Sequence, residues 1–269
     1  MGAVYFWELR KLRAQKRTYL GLGGAMLVPI AFVVALAAQN GAGPNDIPLG
    51  RALRDTGLAV PFVVLFFMSI WGLPLVTALV AGDIVASESH NGTLKTILTR
   101  SRDRGEVFAG KTCAAATYTL LALFAMVAVG VTAGVIEFGW HPLTSLSGTK
   151  VAPGTGLGLL ALSTAVYAWP LLAIAAFGLM LSTVTRNSAA SVVGTLMFAL
   201  LMQLLGALPG TESIRPYVLG EQFSAWHGLL RRPTDWAPIE RAAWVCAIYA
   251  AVSLAAGYLV FLRRDVTGD

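Results

Sequence analysis

Six stretches of this chain carry no charged side chain: Thr18 to Asn45, Thr56 to Gly82, Thr112 to Ile136, Val151 to Thr185, Asn187 to Thr211 and Ala242 to Leu262. A helix needs roughly 20 residues to cross about 30 Å of hydrocarbon, and each stretch is long enough. Barrel strands alternate in polarity and are about ten residues long, so runs this long and apolar exclude a β-barrel. Inside a bilayer each backbone N–H and C=O must be paired within its own segment, which leaves helices. With 56% hydrophobic and 13% charged residues, the composition agrees, since soluble domains carry about 25% charge. The expected fold is an all-α integral membrane protein, a single transmembrane domain over residues 1–269.

Six spans are expected, at about 19–38, 59–81, 112–136, 159–184, 188–208 and 242–262. Pro29, Pro74 and Pro170 lie inside them and predict kinks, which membrane helices tolerate. An even number of spans puts both termini on one side. That side collects Arg10, Lys11, Arg13, Lys16, Arg17, Lys95, Arg100, Arg102, Arg104, Lys111, Arg186, Arg263 and Arg264, against seven basic residues on the other. The positive-inside rule makes it the cytoplasm and the address a cell membrane. Orientation thus accounts for the net charge of +6 and pI near 9.6, without nucleic acid.

Residues 3–17, AVYFWELRKLRAQKR, place Tyr5, Leu9 and Leu12 on one helical face and Arg10, Arg13 and Arg17 on another. This predicts an amphipathic elbow helix in the headgroup layer. The basic stretch and the length of the first apolar run argue against a cleaved signal peptide. Glycine-rich GTGLG, Gly154 to Gly158, reads as a flexible lead into span four. The segment 209–240 is too broken to span; Tyr217, Trp226 and Trp236 predict an aromatic belt or a short re-entrant or surface helix.

No acidic residue falls in the middle of a span, so the side chains that proton-driven carriers keep at membrane depth are missing. His90, His141 and His227 fall in separate loops and cannot form one metal site. Cys113 and Cys246 lack metal or disulfide spacing and read as packing residues. If the protein transports, its energy comes from a partner. An ion-coupled secondary transporter, a membrane enzyme, and a non-transporting scaffold or immunity protein are the competing readings.

The partner's point of contact is expected in 83–111, DIVASESHNGTLKTILTRSRDRGEVFAGK. Within it GEVFAGKT, Gly105 to Thr112, matches the phosphate-loop pattern G-x-x-x-x-G-K-[ST] literally. A phosphate loop follows a buried strand and wraps open N–H groups around the anion. Charged TRSRDR cannot be such a strand, and Asp103 with Glu106 has the spacing of a capping box that starts a helix near Arg104. The ATP reading is therefore rejected, and Lys111 is expected to snorkel at the cytoplasmic foot of span three. Upstream, Gly92 and Thr93 form a turn or cap; Leu94, Ile97 and Leu98 give a short helix with one apolar face, Lys95 and Arg100 beside it.

Glu88, GTLKTILTR from Gly92 to Arg100, then Arg104, Glu106, Gly110 and Lys111 resemble the cytoplasmic loop of permease subunits of type-2 ATP-binding-cassette (ABC) exporters. Ser101 and Arg102 replace that family's usual proline and apolar residue. LSTVTRNSAAS, Leu181 to Ser191, and the six-span layout resemble it more weakly. The resemblance implies a permease that pairs with a second permease subunit and with two copies of an ABC ATPase subunit. ATP and Mg would be bound by that ATPase; this chain would hold no cofactor and catalyse nothing itself. Leu94, Ile97 and Leu98 would fill a groove on the ATPase, Lys95, Arg100 and Arg104 would pair at its rim, and Glu88 and Glu106 would brace the hairpin. Spans two and five would line the dimer interface and substrate path, which makes Met68, Ser69, Met197 and Gln203 candidates.

Overall fold

A computed structural model describes residues 2–38, 49–90, 103–185 and 187–263. The described chain is a helical bundle. Its helices are α1 (Gly2–Arg13), α2 (Lys16–Ala38), α3 (Ala59–Ile70), α4 (Gly72–Ala81), α5 (Ala86–His90), α6 (Arg104–Phe138), α7 (Pro153–Thr185), α8 (Ser188–Ala207) and α9 (Ala237–Arg263). Five helices are long and apolar enough to cross a membrane, or six if α3 and α4 form one bent span. The described chain is thus an all-α fold of membrane type. It carries one small exception, a two-stranded antiparallel pair β1 (Leu143–Thr144) and β2 (Lys150–Val151) between α6 and α7.

Helix α7 is the axis of the bundle. Two thirds of its most apolar window, 67%, is buried, against 22–39% for the other four long helices. This follows from its composition, which is apolar all round and rich in small residues that let neighbours approach. The GTGLG stretch is not a flexible lead: it forms the first turns of α7, because Pro153 starts the helix and needs no hydrogen-bond partner for its missing N–H.

The second expected span is broken. Helices α3 and α4 meet at an angle of 60°, and Trp71 between them leaves helical geometry at φ −146°, ψ −27°. Pro74, two residues into α4, lacks the N–H that would continue the α3 ladder. Gly72 leaves room for the Met68 sulfur, which a Cβ would strike. The carbonyl freed at Ser69 accepts a hydrogen bond from Gln203 Nε2 of α8 at 2.9 Å.

Between α8 and α9 a 3₁₀ helix, Glu221–Leu230, turns inward. Trp226 is buried and stacks on Phe62 of α3 at 5.5 Å between ring centres. Phe223 packs edge-on to Tyr167, whose hydroxyl donates to Leu65 O at 3.1 Å. Trp226 therefore belongs to a plug in the bundle and not to an aromatic belt, while Tyr217 and Trp236 remain exposed. At the same end Gly57 N donates to Gly139 O at 3.0 Å, and the two glycine backbones of Gly57 and Gly134 touch so closely that neither has room for a Cβ.

Candidate functional site

At the opposite end, several helices converge on a set of buried charges. Lys111, near the start of α6, has no solvent exposure. Its ammonium donates to Glu8 Oε1 of α1 at 2.7 Å and to Ile84 O at 3.2 Å, and ion-pairs with Glu88 Oε2 of α5 at 2.7 Å. Two of the three ammonium protons are thus taken by hydrogen bonds, and the Glu88 carboxylate adds a second counter-charge. Lys11 of α1 pairs with Glu88 from the other side. A second group lies beside the first: Asp83, buried just after α4, pairs with Arg17 of α2 and accepts from Ser188 at the start of α8. Ser182, near the end of α7, accepts from the Val85 and Ala86 N–H groups at 3.0 and 2.9 Å, which fixes the start of α5.

Desolvating an ion costs several kcal/mol in a protein interior, so buried charges persist only when paired. Glu8, Asp83 and Glu88 are each at most 2% exposed, and each meets a cation. Breaking such a pair strands a charge, at about 3 to 5 kcal/mol, so the three carboxylates tie the elements that carry them to those that carry the cations. Chemically, then, the site is a clamp. Among the described residues no group of His, Cys, Asp and Glu could hold a metal ion.

Two expectations change. Lys111 does not snorkel; it is the centre of the clamp, because α1 folds over the foot of α6 and closes the route to solvent. The α1 face made by Tyr5, Leu9 and Leu12 packs on the bundle instead of resting on lipid, with Glu8 in its middle. The phosphate-loop match is helical throughout, residues 105–112 lying inside α6, and Gly110 gives Val4 and Tyr5 of α1 space to approach. Asp103 is the N-cap residue of α6 as expected, but its side chain makes no capping hydrogen bond.

Of the expected coupling residues, Glu88 enters the clamp, Arg104 donates to Leu262 O at the end of α9, and Glu106 stands in the first turn of α6. Gly92, Thr93, Leu94, Lys95, Ile97, Leu98 and Arg100 lie outside the described residues. Of the substrate-path candidates, Met68, Ser69 and Gln203 meet at the α3–α4 break, where they serve the bend; Met197 is 46% exposed on the outer face of α8.

Glu8, Asp83 and Ser188 were not singled out from sequence, and Arg17 was read only as a cytoplasmic basic residue on the basic face of the expected elbow helix. Glu8 did leave a signal: an acid placed three residues after Tyr5 and four before Leu12 sits on the apolar face of the helix, where it needs a cation.

No curated protein matches the chain. A family model described as a protein of unknown function (DUF2705) matches residues 49–267, which include Asp83, Glu88 and Lys111 but not their partners Glu8, Lys11 and Arg17. On that match, the chain belongs to the DUF2705 family.

Proposed function

We propose that this protein is the membrane-spanning permease subunit of an ABC transporter of the export type. Its six spans, with α3 and α4 as one bent span, sit in the cell membrane with both termini in the cytoplasm. A second permease subunit pairs with it, and an ATPase subunit, which binds ATP and Mg, docks on the coupling segment 83–111 of each permease. Closing the ATPases pushes this segment and shifts the bundle between two packings.

The observation that carries the reading is the clamp at both ends of that segment. Upstream, α5 is held by Glu88 to Lys11 and Lys111; downstream, α6 is held by Lys111 to Glu8. Asp83 ties the same foot to α2 and α8. A push on this segment would therefore be passed by Asp83, Glu88 and Lys111 to α1, α2, α6 and α8 together. The residues of the segment, GTLKTILTR, add the resemblance to a coupling helix.

Purification of the tagged chain tests the proposal. The expected result is co-purification of an ATPase with its own phosphate loop, lost on Leu94→Asp or Leu98→Asp. Recovery of the chain alone, with solute uptake driven by an ion gradient, would overturn it in favour of an ion-coupled transporter; recovery alone without transport would favour a scaffold or immunity protein.

A further inference from the structure

Helix α1 has two faces with different fates. Glu8 and Lys11 turn inward and are consumed by the clamp. Ala3, Phe6, Trp7, Arg10 and Arg13 recur at spacings of three and four and are all exposed, Phe6 at 63% and Trp7 at 46%. Lys11 lies over the Trp7 ring, 5.0 Å from its centre, and holds that ring against the edge of the outward face. Arg10, Arg13 and the equally exposed Lys16 make no ion pair or hydrogen bond with any described residue, in contrast to Lys11, Arg17 and Lys111.

Chain continuity decides what meets this face. Only Ala14 and Gln15 separate α1 from α2, a helix able to cross a membrane, so α1 lies at the surface of any bilayer that α2 enters. Exposed aromatics beside unpaired guanidinium groups match the boundary between acyl chains and headgroups, where rings are half immersed and cations meet phosphate.

We infer that the outward face of α1 binds anionic phospholipid headgroups, with Arg10, Arg13 and Lys16 as the phosphate partners and Phe6 and Trp7 as the apolar anchors. Glu8 and Lys11 belong to the same rigid helix, so headgroups bound outside fix the position of Lys111 and Glu88 inside. The lipid site stands whether or not the protein transports.

Native mass spectrometry of the full chain in neutral detergent, offered equal amounts of phosphatidylglycerol and phosphatidylcholine of one chain length, tests it. The wild type is expected to retain phosphatidylglycerol preferentially. Arg10→Gln/Arg13→Gln/Lys16→Gln is expected to lower the ratio by roughly fivefold per cation removed. Arg10→Lys/Arg13→Lys, which keeps both charges, and Lys150→Gln, at the far end of the bundle, are expected to leave it unchanged. Equal ratios for wild type and triple variant would overturn the inference. So would displacement of phosphatidylglycerol by an equal concentration of inorganic phosphate, which marks a site for free anions, or a change of oligomeric state in the triple variant, which marks contact with a second copy.

Discussion

Lys111 Nζ lies 2.7 Å from Glu8 Oε1, with the lysine fully buried and the glutamate 1% exposed, across 103 residues of sequence. Lys111→Met strands Glu8, whose other cation, Lys11, is 4.0 Å away. The expected cost is about 3 to 5 kcal/mol, read as a fall in thermal stability in detergent. Glu8→Gln/Lys111→Met should recover much of it, since Glu88 keeps Lys11. A lysine that merely snorkelled would cost under about 1 kcal/mol and show no rescue.

The approach of Gly57 to Gly134 gives a contrast between glycines. Gly57→Ala drives a methyl into the Gly134 backbone and should cost about 1 to 3 kcal/mol. Gly23 and Gly24 of α2 have nothing within 4 Å of a built Cβ, so alanine there should be neutral or stabilising by about 0.5 to 1 kcal/mol. Melting curves of the three variants side by side decide it.

Trp226 and Trp236 separate a plug from a belt. Trp226→Ala removes a buried ring stacked on Phe62 and should cost about 3 to 5 kcal/mol, whereas Trp236→Ala, at 56% exposure, should stay within about 0.5 kcal/mol. Comparable losses for both would mean that Trp226 does not hold the 221–230 segment in the bundle.

His227, next to Trp226 in that segment, has its pKa depressed from 6.5 to about 4, by burial first and the nearby Arg231 charge second. Because the folded value is the lower one, the unfolded chain takes up the proton first. Stability should fall as pH drops from about 6.5 to 4 and be unaffected above that window. His227→Gln should lessen this pH dependence; identical pH profiles for variant and wild type would refute the assignment.

The span positions were legible because hydrocarbon tolerates no charge and no unpaired backbone, so uncharged runs report them directly. Five of the six appear as single long helices. The start of α6 near Arg104 was legible from Asp103, whose extended backbone caps the helix, although its side chain does not supply the hydrogen bond. The break at Trp71 was not legible, because Pro74 predicts only a local kink; the 60° turn also depends on Gln203, more than a hundred residues away, accepting the role of partner to the Ser69 carbonyl.

Lys111 shows the same division. Sequence alone determined that residues 105–112 would be helical and that a lysine would stand at the foot of a membrane-type helix, because propensity and the charge pattern act locally. Only the tertiary structure decided that this lysine is buried. Whether a charge faces water or a counter-ion depends on which helix folds over it, and here α1 brings Glu8 across 103 residues while α5 brings Glu88 across 23, a juxtaposition that no local pattern encodes.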